Sequence, residues 1–445
     1  MSSEWKEVLL GDLISVKHGF AFKSEYFCDE PTPYQLVTPG NFAIGGGFQL
    51  GKAKYYSGPV PDGYILHKDN VVVTMTDLSR AADTLGYAAV IPKTEGTVWL
   101  HNQRVGLVEV NPNAPVISSY LHYMMRSRDY RHQVVSSATG STVKHTAPSR
   151  ICEFKFKLPS VPEQAGIAAT LRALDERISL LRETNATLEA IAQALFKSWF
   201  VDFEPVRAKQ EGREPEGMDA DTAALFPDSF EESELGLVPK GWSTCSIYDL
   251  ASYINGAAYK AFEPNSEGRG YPIIKIAELK SGVTSQTAYS DVVMPEKYFI
   301  DTGEILFSWS GNPDTSLDTF VWHHGPAWLN QHIFRVIPIA DDERSFVLQT
   351  LKHLRPVFAE LARNKQTTGL GHVTVADLKR LHVVRPSKVA FDFFSSKVSP
   401  VHARIFENQM QAQTFSTLRD TLLPRLISGQ LRLPEAEAML KEAAA

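Results

Sequence analysis

The sequence predicts an α+β fold: two mixed, strand-rich domains joined by two long antiparallel coiled-coil helices, as a pseudo-twofold tandem repeat. Three observations lead to this prediction. Similar segments recur in the same order in the two halves of the chain. Short apolar runs bounded by Gly, Pro and Asn turns are typical of strands. Two long stretches carry apolar residues at heptad spacing, which indicates coiled-coil helices.

The internal repeat has two different offsets. Near the domain starts, Gly19 matches Gly256, 237 residues later. From His145, which matches His372, the offset is 227 residues. Between these landmarks the two copies diverge strongly, so we expect one scaffold that presents two different binding surfaces.

Strands and helices within the two copies are predicted from hydrophobic periodicity. Residues 71–73 and 304–307 are examples of short apolar runs that predict strands. The clearest helices within the two copies are predicted over residues 120–135 and 346–363.

Charge and composition divide the chain. Residues 201–240 hold 11 acidic against 4 basic side chains and are rich in Glu, Pro and Gly, which predicts a linker outside the core. Residues 1–160 carry 16 basic and 14 acidic side chains, so the net charge of −6 does not argue against DNA binding. The predicted segments are a strand-rich domain (1–160), a central helix (161–203), an acidic linker (204–240), a second strand-rich domain (241–388), a C-terminal helix (389–432) and a tail (433–445).

The central helix is predicted from apolar positions that alternate by four and three residues over residues 167–199. Asn185 interrupts this seam and either fixes the helix register or is a solvated defect. The second helix repeats the pattern with Asn408, although Arg419 conflicts with it and Pro400 predicts a kink or a helix start. Since a domain separates the helices, we expect them to pair antiparallel. The predicted seam consists of Ile167, Leu171, Leu174, Ile178, Leu181, Asn185, Leu188, Leu195, Trp199, Val401, Ile405, Asn408, Phe415 and Leu422.

Several classes of protein are excluded by motifs that are missing. Three cysteines without C-x-x-C spacing indicate reduced thiols, and no apolar run reaches the roughly 18 residues of a membrane span, so a cytoplasmic protein is predicted. The run from Gly46 to Lys52 fits G-x-x-x-x-G-K, but Ala53 replaces the hydroxyl that would reach magnesium, which favours a glycine-rich turn before a strand. No metal-ligand spacing, nucleophile elbow or dinucleotide fingerprint occurs, and the chain is predicted to be non-catalytic.

Basic side chains beside Gly/Thr/Ser loops are the remaining candidates for chemistry. The loop TGSTVKH (139–145) and its counterpart TTGLGH (367–372) offer N–H and hydroxyl donors that suit phosphate oxygens. The alternative is a capping turn in which Ser141 or Thr142 closes a helix end. The candidate DNA contacts, chosen from charge and loop placement, are Lys23, Lys54, Arg80, Arg104, Lys144, His145, Lys260, Arg269, Lys275, Arg363, Lys365 and His372.

These features together resemble the specificity subunit of type I restriction–modification systems. The most specific parts are TGSTVKHTAPSRICEFKFKLPSVPEQ (139–164), ALFKSWFVDFEPVRAKQEGREPEG (194–217), SELGLVPKGW (233–242) and LLPRLISGQL (422–431). The second copy departs from this pattern: TTGLGH is shorter, and no Glu-Gln pair follows residues 385–388. The entry of the second long helix is therefore less defined by the resemblance than that of the first.

The resemblance implies a role in defence against foreign DNA. Each strand-rich domain would be a target recognition domain, and the long helices would be the conserved regions that space them. Such a subunit has no catalytic residues and directs two modification subunits, which methylate adenine in double-stranded DNA; restriction subunits can join. The cofactors S-adenosylmethionine, ATP and magnesium would belong to those partners, with none bound by this chain.

The helix length agrees with a spacer role. The heptad from residue 167 to 199 spans roughly 50 Å at about 1.5 Å per residue, or about 15 base pairs at ~3.4 Å each. Two different readers on such a spacer predict a bipartite, asymmetric DNA site. Leu180, Ile191 and Phe196 are expected on the outer faces of the helix pair, where partner helices would bind. Two alternatives remain at this point: a stand-alone coiled-coil structural or adhesive protein, and a self-contained DNA methyltransferase.

Overall fold

The computed structural model describes residues 5–79, 82–365 and 370–444. Two compact units are present, one formed by Met1–Ile178 with Gln413–Ala445 and the other by Ser179–Ala412. Each unit contains one strand-rich region and one part of each long helix. This grouping differs from the linear division expected from the sequence, because both long helices continue from one unit into the other.

Two sheets build the strand-rich region of the first unit. The antiparallel four-stranded sheet has the order Ile14–His18, Val105–Val110, Val71–Thr74, Ala88–Val90. The five-stranded sheet has the order Phe27–Cys28, Tyr55–Tyr56, Tyr34–Val37, Val98–His101, Ile65–Leu66, with its third and fourth strands parallel. Two small ladders pair Lys6–Leu9 with Lys155–Leu158 and Thr76–Asp77 with Lys144–His145. The short α-helices are Leu10–Leu13, Ser118–Met124, Arg128–Ser136, Pro148–Cys152 and Leu433–Ala444.

The second unit has the same organisation. Its four-stranded sheet has the order Ala251–Asn255, Ile333–Pro338, Ile305–Ser308, Asp318–Val321, and the other sheet Tyr289–Ser290, Tyr271–Ile274, Ala327–Leu329, Phe299–Ile300. Its ladders pair Ser243–Ser246 with His382–Arg385, Ser310–Gly311 with Gly371–His372, and Phe230–Ser233 with Gly236–Pro239. The short α-helices are Glu204–Gln210, Ala220–Ala224, Ile276–Ser281, Arg344–His353, Arg355–Asn364 and Val375–Arg380.

The repeated glycines mark the place where the two sheets of each unit meet. A Cβ on Gly19 would lie 2.1 Å from the carbonyl oxygen of Asn102, and one on Gly256 would lie 2.2 Å from that of Asn330. Neither position therefore tolerates a side chain, because the backbones approach too closely. The two copies of the repeat share this constraint although most of their other residues differ.

The two long helices span Val161–Phe200 and Lys388–Ile427 and pair antiparallel within each unit. In the first unit Asp175 contacts Arg419, and in the second Asn185 contacts Asn408. A buried apolar seam joins them, as its heptad spacing requires. The predicted seam residues that are buried are Ile167, Leu171, Leu174, Ile178, Leu181, Trp199, Asn408, Phe415 and Leu422, while Asn185, Leu188, Leu195, Val401 and Ile405 are half-buried.

The asparagine in the seam is paired rather than left to solvent. The Asn408 amide donates to the side-chain oxygen of Asn185 at 2.8 Å, and the Asn185 amide donates to the backbone carbonyl of Ile405 at 3.0 Å. Because any other register would bury these polar groups without partners, the pair fixes the register of the two helices.

Pro400 lies inside the second helix, so the alternative that the helix starts at this residue is wrong. The helix runs without interruption through this exposed position. An interior proline costs a helix about 3 kcal/mol. Full burial of Phe394 and Val398 on the preceding turns offsets this cost, at roughly 1.5–3 kcal/mol for each side chain.

The segment 204–240 is folded, so the prediction of a linker outside the core is wrong. Two short helices and a hairpin form there, and Phe203, Val206 and Phe226 belong to the same buried core as Trp199 and Trp242. The acidic side chains dominated the composition of the segment. Its few apolar residues lie at positions where the chain turns inward, and their burial decides the structure.

Phe196 also differs from its expected place on the outer face of the helices. Its side chain is 4% exposed and packs against Phe346 and Phe394. Leu180 and Ile191 are on the outside, 54% and 46% exposed. Heptad spacing alone could not separate these residues, because the strand-rich region of the second unit covers one outer face of the helix.

Each of the two helices predicted within the repeats is broken in two. The chain turns between Ser118–Met124 and Arg128–Ser136 and between Arg344–His353 and Arg355–Asn364. In the second unit Pro356 explains the break, because a proline suits the first turn of a new helix and not the interior of a continuous one. None of the helices that the structure describes combines the length and the apolar composition needed to cross a bilayer.

Candidate nucleic-acid interface

In the first unit, four chain segments meet beside one end of the four-stranded sheet: residues 18–20, 75–77, 102–104 and 144–146. We call this the strand-end surface. The Met75 amide donates to the carbonyl of Arg104 at 3.0 Å, and the Thr146 amide donates to the carbonyl of Met75 at 3.0 Å. Three of the predicted DNA contacts, Arg104, Lys144 and His145, are therefore brought together although they lie up to 41 positions apart in the sequence.

The second unit repeats this arrangement in residues 255–257, 309–311, 330–332 and 371–373, its own strand-end surface. The Trp309 amide faces the carbonyl of His332 at 3.4 Å, and the Val373 amide donates to the carbonyl of Trp309 at 2.9 Å. Ser310 pairs with His372 as Thr76 pairs with His145. The backbone hydrogen bonds thus correspond between the two units.

The side chains on these matching backbones are different. The first surface offers Arg104 and Lys144, and among the described residues neither forms an ion pair with a carboxylate. The second offers Trp309, whose indole N–H donates to the side-chain oxygen of Asn255 at 3.0 Å, and His332 next to it. Arginine, lysine, asparagine and histidine side chains all form hydrogen bonds with base edges or phosphates. Two such surfaces suit two different base sequences.

One carboxylate of the first strand-end surface binds backbone amides of the chain that follows it. Asp77, which is 4% exposed, accepts hydrogen bonds from the amides of Ser79, Thr84 and Leu85 at 2.7, 2.5 and 3.0 Å. Burial alone would raise the pKa of Asp77, but these hydrogen bonds outweigh it and hold the pKa below its ordinary value. Leu78 stands 63% exposed in this segment, a position from which an apolar side chain can meet a thymine methyl group.

The loop TGSTVKH is a turn closed by strand pairing. Thr139 and His145 exchange backbone hydrogen bonds of 2.9 and 2.8 Å, and His145 Nδ1 lies 3.1 Å from the Thr76 hydroxyl. Neither Ser141 nor Thr142 is the cap of the neighbouring helices, whose ends are at Ser137 and Ala147, so the capping alternative is wrong.

Two further predicted contacts of the first unit, Lys23 and Lys54, lie near the five-stranded sheet. Lys54 stands over the ring of Phe27 with its amine 4.0 Å from the ring centroid. Lys23 is exposed and 3.5 Å from Glu25. Arg80 lies outside the described residues.

In the second unit, the predicted contacts Lys260, Arg269 and Lys275 lie on segments other than those that define the strand-end surface. The segment of Lys275 adjoins that surface, because the Asn330 amide donates to the carbonyl of Ile274 at 3.1 Å. The Lys275 amine stands 5.1 Å from the ring centroid of Tyr259, and Lys260 is exposed on the same turn of chain as that tyrosine. Arg269 forms ion pairs of 2.5 and 3.2 Å with Glu267 and Asp291.

Arg363 and Lys365 are held by carboxylates. Arg363 donates to Asp314 at 2.6 Å. The Lys365 amine lies 2.6 and 2.5 Å from the two oxygens of Asp377, whose side chain is 5% exposed. Lys365, itself 35% exposed, pairs with the buried carboxylate of Asp377, which is a structural role in the unit itself.

Sequence reasoning missed His18, Thr76, Asn255, Trp309 and His332, all of which belong to the strand-end surfaces. None of the five is a lysine or an arginine, so charge alone does not point to them. His18 and Asn255 lie next to the repeated glycines Gly19 and Gly256, and His332 follows the pair Asn330-Gln331, which repeats Asn102-Gln103. Thr76 and Trp309 come shortly after the predicted strands 71–73 and 304–307. Their position next to landmarks of the repeat is the feature of the sequence that could have identified them.

Within the described ranges, no three His, Cys, Asp or Glu side chains converge in a way that could hold a metal ion. The glycine-rich run that resembles a phosphate loop forms a turn in which Gly46, Gly47 and Gly51 have positive φ angles. A short strand, Tyr55–Tyr56, follows it.

The duplicated fold carries paired surfaces that suit two base sequences, and comparison with known proteins places the chain in a family. Residues 2–190 and 239–390 match the family described as type I restriction modification DNA specificity domain, and the chain belongs to this family. This membership does not favour a stand-alone structural protein or a self-contained methyltransferase.

Curated relatives and a solved structure show the same likeness. The MjaIX specificity subunit of Methanocaldococcus jannaschii is 25% identical over 378 residues, covering 83% of this chain and 79% of that one. The HindI specificity subunit of Haemophilus influenzae is 26% identical over 371 residues, covering 72% and 79%. The crystal structure of a type I restriction–modification S subunit from M. genitalium has the same fold, with a TM-score of 0.55 at 15% identity over 95% of this chain and 96% of that one.

Asp377→Asn should destabilise the second unit in a pH-dependent way. Although burial opposes it, hydrogen bonds from Lys365 and Thr374 hold the pKa of Asp377 below its ordinary value of 3.8. Its stabilising contribution is therefore fully present above the unfolded pKa and is lost as the pH falls through the folded pKa. The loss at pH 7 should be about 1–3 kcal/mol.

Urea denaturation of the two proteins from neutral pH down to about 2 measures this difference. Asp221→Asn, at an exposed carboxylate in the same unit, serves as the control and should change little at any pH. A difference between wild type and Asp377→Asn that stays constant with pH would contradict the role assigned to the Asp377 carboxylate.

Proposed function

We propose that this chain is the DNA sequence-recognition subunit of a type I restriction–modification complex and that it reads a bipartite, asymmetric site. Each strand-end surface reads one half of the site. The observation that carries this proposal is the pair of corresponding backbone frameworks with different side chains, Arg104 and Lys144 in one unit and Trp309 and His332 in the other. Family membership supports it.

The two halves of the site should differ in base sequence because the two surfaces offer different chemistry. Arg104 suits the acceptor edge of guanine, while Asn255 suits adenine. Lys144 and the exposed amide groups of the TGSTVKH turn suit phosphate oxygens, which fix the position of the surface without reading sequence. Lys23, Lys54, Lys260 and Lys275 are proposed as further phosphate contacts, farther from the bases.

The chain itself is proposed to be non-catalytic. In this proposal two modification subunits bind it, transfer methyl groups from S-adenosylmethionine to adenine, and carry that cofactor. Restriction subunits, where present, carry ATP and magnesium. The complex acts in the cytoplasm, where the DNA is.

Partner helices are proposed to bind the uncovered face of the central helix. Leu180 and Ile191 are eleven residues, or about three turns, apart, so they lie on one side of the helix. Both are large apolar side chains that are about half exposed. Exposed apolar residues on an otherwise polar helix face are typical of a helix–helix interface.

Methylation mapping of DNA from cells that carry this chain with its modification subunit tests the proposed function. We expect methylated adenines in two short, different sequences separated by a fixed gap of unread bases. A continuous or palindromic methylated motif would contradict the two-reader arrangement.

Arg104→Ala combined with Lys144→Ala should weaken DNA binding by the assembled complex and flatten its salt dependence. Each lost phosphate contact reduces the slope of log affinity against log salt by about 0.9. Fluorescence anisotropy over a range of salt concentrations measures the slope. Lys93→Ala is the matched control, since Lys93 follows a strand at the opposite end of the same sheet. If the slope of log affinity against log salt is unchanged in the double variant, the DNA does not bind at this strand-end surface.

Leu180→Glu with Ile191→Glu should weaken association with the modification subunit while the chain stays folded. Phe196→Glu should instead unfold the second unit, because this ring is buried among other aromatic side chains and its loss costs about 3–5 kcal/mol. Light scattering of the mixed subunits and thermal denaturation of the chain alone separate the two effects. Full-size complexes formed by the Leu180/Ile191 variant would refute this interface.

A further inference from the structure

One carboxylate of the central helix joins three elements of the first unit. Asp175 Oδ2 accepts hydrogen bonds from the Tyr123 hydroxyl at 3.0 Å and from Arg126 Nη1 at 2.9 Å, both in the strand-rich region. Asp175 Oδ1 accepts one from Arg419 Nη1, on the other long helix, at 2.8 Å. Burial alone would raise the pKa of Asp175, but the two arginines hold it below its ordinary value, so the group is an anion.

Arg126 connects Asp175 to a loop of the strand-rich region. Its side chain is only 3% exposed, and its Nε donates to the carbonyl of Gly45 at 2.9 Å. A Cβ on Gly46 would lie 2.4 Å from Arg126 Cγ, so the loop packs directly on the arginine. Burial, and then the charge of Arg126, lower the pKa of His122 to about 3, so this imidazole is neutral and its Nε2, 3.2 Å from Arg126 Nη1, accepts a hydrogen bond.

In the second unit, a carboxylate of the central helix also connects the strand-rich region to the helix pair, but through different side chains. Glu189 lies two heptads after Asp175 on the central helix, and it accepts hydrogen bonds from Lys352 at 2.5 Å and Gln349 at 3.1 Å. Gln349 also lies 2.8 Å from His402 on the other long helix. Each strand-rich region is therefore held to its part of the helix pair by a carboxylate at one heptad position, and the partners of that carboxylate differ.

The angle of the first strand-rich region on the helices depends on this contact. The apolar seam contributes most of the binding energy but is not directional. Hydrogen bonds between charged groups in a partly dry site have fixed geometry, and a buried arginine left without its carboxylate is strongly unfavourable. The hydrogen bonds to Tyr123, Arg126 and Arg419 together therefore favour the observed arrangement.

We propose that Asp175 is a positioning residue for DNA recognition. By accepting hydrogen bonds from Tyr123, Arg126 and Arg419, it sets the angle of the first strand-end surface on the helices. It thereby makes the protein selective for the length of the gap between half-sites. This inference rests on the proposed function. One added base pair rotates a half-site by about 35° and moves it by ~3.4 Å, which a rigid joint cannot follow and a loose joint can.

The test uses Asp175→Asn in the complex with its modification subunit. Competition binding compares duplexes with the natural gap, one base pair more and one base pair less. Wild type should prefer the natural gap strongly, and Asp175→Asn should reduce that preference about tenfold or more. Glu176→Gln is the matched control, because it removes one charge from an exposed neighbour and should leave the preference unchanged.

The outcomes separate the two levels of the proposal. If the wild-type complex shows no sequence-selective DNA binding, the proposed function fails. If wild type discriminates between gaps and Asp175→Asn keeps the same preference ratio, the positioning role of Asp175 is refuted while the function stands. Should Asp175→Asn fail to fold, Arg419→Lys, which keeps the charge but changes the donor geometry, is measured in the same way and should also reduce the ratio.

Discussion

The antiparallel seam between the two long helices is the interaction on which the rest of the structure depends. It buries apolar residues along both helices, and the Asn185–Asn408 pair fixes its register. Because the helices are antiparallel, the part of the second helix after residue 412 packs with the first strand-rich region, far from it in sequence. Each compact unit is thus assembled from segments that are distant in sequence. The contacts between each strand-rich region and the helices can form only when the two helices are paired.

Duplication explains why one scaffold supports two different surfaces. Gly19 and Gly256 are kept by a backbone contact that excludes any side chain, and the hydrogen bonds around Met75 recur around Trp309. Exposed side chains at the sheet end contribute little to the stability of that framework. They are therefore free to differ. The strand-end surface of the first unit presents Arg104 and Lys144, whereas that of the second unit presents Trp309 and His332.

Charged side chains divide into two groups that composition does not distinguish. Lys365 and Arg126 are held in ion pairs inside the units, whereas Arg104 and Lys144 face outward on a surface. The first group determines how the pieces of each unit fit together. The second is available to a polyanion. A count of lysines and arginines by segment mixes the two, which is why several predicted contacts turned out to have structural partners.

The sequence by itself determined the α+β class, the duplication and the heptad helices, because periodicity and repeated landmarks are local properties of the chain. Tertiary structure decided the rest. The segment 204–240 folds because Val206 and Phe226 are buried in the core of the second unit. The second helix continues past Pro400 because its neighbours are buried, and Phe196 is covered by a strand-rich region. The strand-end surfaces likewise gather residues from four separate loops, since only the pairing of strands brings those loops together.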